Sequence, residues 1–121
     1  MKVACIRIVN SVTGREESSS PWLTLGKTYV VLAVMATPER GVLFRLIGDE
    51  SRTPALFDSR QFRTVSSSLA SNWAAFGDEQ GGLELTPESW ARAGFWEDYF
   101  NQVPAAVEAF EAEAAIIMRE A

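Results

Sequence analysis

Apolar residues along this chain recur first at every second position and later at every third or fourth, and the change falls between residues 65 and 104. Alternation is the period of a half-buried strand and a three-four spacing that of an amphipathic helix, so strands are expected first and helices last. Lys2 to Val9 alternates, with Arg7 falling on the face of Val3, Cys5 and Val9. The Ile6 and Ile8 face is therefore expected to take the core. Asn10 to Trp22 holds Gly14, Glu16-Glu17, three consecutive serines and Pro21, which mark a polar loop. Leu23 to Val65 then strings short apolar runs between Gly, Pro, Asp and Ser. Within it Thr28 to Met35 is apolar on both faces, as in a strand covered on both sides. Thr37-Pro38-Glu39-Arg40-Gly41 reads as a turn, returning the chain through Val42, Phe44 and Leu46 on the core side. Arg45 faces the other way between Leu43 and Ile47, placed to pair with a carboxylate. Gly48 to Ser51 is a further turn, and Pro54 opens a short strand, Ala55 to Phe57. Asp58 to Gln61 reads as one helical turn capped by Asp58, with Phe62 entering the core and Arg63 to Val65 closing the sheet.

Ser66 to Ser71 is a serine-rich joint. Beyond it, Asn72 to Phe76 is expected as an edge strand, Gly77 to Gly82 as a hairpin loop and Leu83 to Leu85 as the returning strand. Thr86-Pro87 has the form of an N-cap and first helical residue, predicting a short helix to Arg92 stopped by Gly94. Phe95 to Phe100 places four aromatics in six residues, a hydrophobic clamp. From Pro104, Val107, Phe110, Ala114 and Ile117 line one face of a helix whose polar side carries Glu108, Glu111 and Glu113. That helix is expected to dock on the sheet. The fold class is α+β, a small antiparallel SH3-like barrel or curved sheet followed by C-terminal helices.

Composition narrows the class further. The chain has 121 residues and 47% hydrophobic content, which suits one domain with one substantial core. We divide residues 1–121 into a sheet scaffold over 1–65 and an acidic, aromatic-rich layer over 66–121. No run approaches a membrane span, the N-terminus lacks a signal peptide's apolar core, and the single Cys5 suits a reducing compartment, so the expected location is cytoplasmic. Residues 1–70 carry a net charge of +3 and residues 71–121 one of −8. This asymmetry disfavours nucleic acid or anionic lipid as the main partner and favours a basic protein at the C-terminal face; a purely solubilising surface is the plain alternative.

The chemistry of catalysis is sparse. There is no histidine, which removes the commonest general base and metal ligand and the usual partner of a nucleophilic serine or cysteine. Cys5 lies within a predicted strand with no neighbouring base and reads as a core thiol. Gly26-Lys27-Thr28 imitates the end of a phosphate-binding loop, but Pro21 stands where the first glycine is required and a strand follows instead of a helix. The Gly77 to Gly82 loop lacks the alternating oxygen ligands of a calcium loop. Glu16-Glu17, Asp49-Glu50, Asp78-Glu79 and Glu97-Asp98 are adjacent in sequence and form no catalytic dyad. No enzyme activity, metal or cofactor is expected. Trp73, Trp90, Trp96 and Tyr99 are expected mainly to seal the C-terminal helices onto the sheet, with an edge or two left for a partner.

Leu25-Gly26-Lys27 with Tyr29 to Leu32, Phe44 to Asp49, Pro54 to Phe57 with Phe62 and Val65, Ser71-Asn72-Trp73 and Gly94 to Phe100 together resemble small bacterial proteins with an SH3-like sheet. Immunity proteins of polymorphic toxin systems are among them. The resemblance covers roughly residues 23 to 110 and implies a protein-binding role without catalytic residues. An immunity protein that occludes a cognate basic toxin is the expected function, with Asp78, Glu79, Glu97 and Asp98 beside Trp96 as partner contacts. The alternative is a small regulatory or phage-related domain binding a peptide or nucleic acid in the barrel groove through Lys27, Arg45, Arg60 and Arg63.

Overall fold

A computed structural model describes all residues, Met1–Ala121. Ten strands precede three helices: β1 (Lys2–Cys5), β2 (Ile8–Val9), β3 (Glu16–Glu17), β4 (Thr28–Val30), β5 (Ala33–Thr37), β6 (Gly41–Leu46), β7 (Ala55–Asp58), β8 (Phe62–Ser66), β9 (Ala74–Gly77), β10 (Leu83–Thr86), α1 (Glu88–Ala91), α2 (Phe95–Phe100) and α3 (Pro104–Glu120). A 3₁₀ turn, Ser59–Gln61, joins β7 to β8, and Asp58 caps it by accepting from the Arg60 N–H at 2.9 Å. All strand pairs are antiparallel. They form a three-stranded sheet, β4-β1-β8, a five-stranded sheet, β7-β6-β5-β10-β9, and the small β2-β3 ribbon. The fold is thus α+β, with open antiparallel sheets, no closed barrel and three C-terminal helices.

The doubly apolar run at residues 28–35 divides between β4 in one sheet and β5 in the other. At the break, Val31 and Leu32 are both fully buried but enter different cores. Val31 joins Val3, Cys5, Ile8, Tyr29, Phe44, Leu46 and Phe62 between the sheets. Leu32 joins Trp90, Phe95, Tyr99, Phe110 and Ile117 under the helices. Successive strand residues point to opposite faces, so two neighbouring side chains anchor two layers. Trp73 packs against both cores and donates its indole N–H to the Leu32 carbonyl at 2.9 Å.

Two expectations need correction, and two segments gain detail. The first strand ends at Cys5, because the N–H groups of Ile6 and Arg7 both turn to the Gln61 carbonyl. Val3 and Cys5 consequently face the core and Ile6 is 42% exposed, contrary to the expected faces, whereas Ile8 beyond the break enters the core as expected. Thr86 does not cap α1; the helix starts one residue later, after Pro87, and the Thr86 hydroxyl is buried without a partner. Phe95–Phe100 is a helix, with Gly94 preceding it at φ 79°, a conformation glycine adopts without a Cβ clash. The 66–121 segment also contributes two strands to the sheet, since β10 pairs with β5.

Asp49 ties the long loop after β3 to the turn after β6. It accepts from Lys27 Nζ at 2.5 Å, Thr24 Oγ1 at 2.7 Å and the Tyr29 hydroxyl at 3.1 Å. The Lys27 bond, then that of Thr24, holds its carboxyl below the usual range. A depressed folded-state pKa stabilises above the unfolded value of about 4 and loses that contribution as pH falls through the folded one. An acid titration followed by circular dichroism is expected to show Asp49→Asn less stable near neutrality but with a shallower acid loss than the native chain. Equal acid slopes would remove Asp49 from that account.

Candidate functional site

The three helices meet in an aromatic knot. Trp90 stacks on Phe110 at 5.0 Å between centroids, and Phe95 meets Trp96 edge-on at 4.9 Å. Tyr99 lies 4.6 Å from Phe110. The Phe95–Tyr99 spacing of four puts both on the inner side of α2, where they are buried, and the next residue, Phe100, is left 52% exposed. Arg45 reaches this layer from β6. Its guanidinium lies 3.9 Å from the Trp96 ring centroid and the residue is only 6% exposed.

The proposed carboxylates occupy two separate elements. Asp78 turns inward to close the β9–β10 hairpin, accepting from the N–H groups of Gln80 and Gly82 at 2.9 and 2.8 Å. Glu79 is exposed at the same tip, and Glu97 is exposed on α2. Asp98 is engaged by Arg92 at 3.0 Å. Trp96 is half-buried with Arg45 over its ring. Of the four acids, Glu79 and Glu97 have neither a hydrogen-bonded partner nor burial to restrain them.

The basic residues are similarly occupied. Lys27 pairs with Asp49 at 2.5 Å, Arg60 pairs with Asp58 at 2.7 Å, Arg45 is buried, and Arg63 alone is exposed on β8 without an ion pair. The neighbouring groove, about 620 Å³, runs between the 10–22 loop, the β5–β6 turn and the 3₁₀ turn. Trp22 stands half-exposed on its wall, and Arg40 and Arg60 face it together with Glu17, Glu39 and Asp58. Charge of both signs along the wall gives a polyanion no continuous basic track.

A second hollow, about 560 Å³, lies between α2, α3 and the Arg52–Thr53 turn. Tyr99, Phe100, Pro104 and Val107 supply its apolar surface, Glu108 and Glu111 line it from α3, and Arg52, which pairs with neither, lines it from the turn. Neither glutamate forms an ion pair, and both are exposed. An aromatic ring beside two carboxylates suits a lysine or arginine side chain, whose stem covers apolar surface while its head meets negative charge. These contacts were legible in part: Glu108 and Glu111 share a face at a spacing of three, but Phe100 points outward only once 95–100 is a helix.

No group of three or more His, Cys, Asp or Glu is arranged to hold a metal ion, and no helix is long and apolar enough to cross a membrane. Cys5 is buried, and desolvation raises its pKa, which disfavours the reactive thiolate. Comparison with protein-family models, curated proteins and solved structures returned no match to this chain.

Proposed function

We propose that this chain is a non-catalytic, cytoplasmic protein-binding module whose C-terminal layer receives a basic protein, and that it serves as an immunity protein occluding a cognate bacterial toxin. The supporting observation is the hollow in which half-exposed Phe100 lies with the unpaired Glu108 and Glu111, two carboxylates of the −8 segment against the single lining cation, Arg52. Electrostatic attraction would steer the partner and the aromatic would anchor it.

The test is calorimetric titration with the product of the adjacent reading frame. Phe100→Ala is expected to weaken binding by roughly thirtyfold, the scale of an interface hot spot. Glu108→Lys with Glu111→Lys is expected to slow association and flatten its salt dependence. Affinity indifferent to salt and to all three substitutions would sink the reading. The 620 Å³ groove supports a second one, a regulatory or phage-related domain that binds a peptide there. Its mixed charge favours that form over nucleic acid; binding lost on Trp22→Ala and retained in Phe100→Ala would select it.

A further inference from the structure

We propose that β9 is an acceptor edge, which takes an extended segment of a basic partner as an added antiparallel strand. The five-stranded sheet has two edges, β7 and β9. β7 is guarded: Pro54 precedes it, and the Asp58–Arg60 ion pair closes its end. β9 is Ala74-Ala75-Phe76-Gly77, with no charge, proline or bulge, the devices by which natural sheets protect an edge. Three of its four residues are exposed. Apart from its ladder to β10, it makes no backbone hydrogen bond.

The pairing shows which groups are free. Asp78 N–H donates to the Gly82 carbonyl, and the same register pairs Gly77 with Leu83, Phe76 with Glu84, Ala75 with Leu85 and Ala74 with Thr86. Bonded and non-bonded pairs alternate in an antiparallel ladder, so Ala74 and Phe76 bond to β10 while Ala75 and Gly77 turn their N–H and C=O groups outward. A row on one face, Gly77, Leu83, Ala36 and Val42, continues inward from this edge. Leu83 is 48% exposed and Val42 41%, so alternate apolar side chains of an added strand would find cover there.

Charge identifies the occupant. No Lys or Arg occurs between Arg63 and Arg92, whereas Asp78, Glu79, Glu84 and Glu88 do. Carboxylates bracket the edge: Glu120 and Glu113 hold Ser71 and Asn72 just before β9, and Asp78 and Glu79 follow it. A second copy would bring the same negative charge to this edge, while a strand alternating apolar and basic residues matches it. The partner's basic chemistry rests on the proposed function; the open edge does not.

The probe is an alternating lysine–valine hexapeptide, tested by nuclear magnetic resonance titration of the full chain, with two analogues N-methylated on either the lysines or the valines. Saturable binding with shifts centred on Ala74–Gly77 is expected. One N-methylated analogue should bind as the parent does and the other at least tenfold more weakly, because a strand presents alternate amides to its neighbour. Ala75→Pro, which removes an outward N–H and spares the β10 ladder, should abolish binding without changing the melting temperature. Equal binding by both analogues, or no saturation by millimolar peptide, overturns the proposal. So does a dimer abolished by Ala75→Pro, which would assign the edge to a second copy. Toxin binding that survives Ala75→Pro and is lost in Phe100→Ala would overturn the edge proposal and leave the function standing.

Discussion

Trp90→Ala is expected to destabilise the protein by about 3–5 kcal/mol, the range for truncating a buried aromatic to alanine. Trp90 is 1% exposed, and Phe110, Phe95 and Trp96 surround its ring at centroid distances of 5.0, 6.5 and 5.6 Å. Its indole N–H donates to the Ala109 carbonyl at 3.4 Å, so the indole also fastens α1 to α3. α1 has four residues, too few to be stable alone, and depends on this packing. For a domain of this size the loss corresponds to a fall in melting temperature of roughly 10–20 °C. Trp90→Phe, which keeps a ring in the stack, should lose about half as much. Thermal unfolding followed by circular dichroism is the measurement. A fall under about 3 °C for Trp90→Ala, less than one kcal/mol on that scale, would mean the knot does not hold the helices in place.

Arg45 gives the second large effect, with an unusual sign. Its Nε is buried without a hydrogen-bond partner, and the nearest compensating charge, Glu84, lies beyond ion-pair distance. Desolvation pushes the Arg45 pKa down to about 10 and the Glu84 pKa up, each against a weaker attraction from the other. Both shifts therefore mean that folding disfavours the charged form. Near neutrality the two groups cost stability, with Arg45's cost relieved only as pH rises past about 10. Arg45→Met keeps a long side chain against Trp96 and removes the charge. It is expected to leave stability unchanged or raise it by about 1–2 kcal/mol, as when buried ionic groups are replaced by packed apolar ones. Arg45→Ala instead opens a cavity beneath Trp96 and is expected to cost about 2–4 kcal/mol. Denaturant unfolding of both variants separates charge from packing. Equal losses would show that the guanidinium itself holds the two layers together.

The carboxylate sought for Arg45 on its own face is therefore Glu84, reached through β5 and not by a contact ion pair. That neighbour was hidden in the sequence, because β10 follows β6 by nearly forty residues and only the sheet order brings them near. The same distance in sequence concealed the hollow at Phe100, whose walls come from α2, α3 and the turn before β7. Local signals fared better. Asp58 as a cap, the turn at residues 37–41, the β9–β10 hairpin and the helix from Pro104 each depend on a few adjacent residues, and each is present. The first strand departs from its pattern because Lys2 to Val9 is not one continuous alternation. The Gln61 carbonyl, more than fifty residues away, ends that alternation after Cys5.

By itself the sequence determined the class of fold, the succession of strands before helices, the acidic C-terminal charge and the lack of histidine, since period, turn residues and composition act over short range. Tertiary structure decided the rest. It sent Val31 and Leu32 into different cores, buried Arg45 against Trp96, occupied Lys27 and Arg60 with carboxylates, and left β9 and Phe100 open. Which side chains remain free for a partner depends on what else packs beside them, and that is a property of contacts between segments distant in the chain.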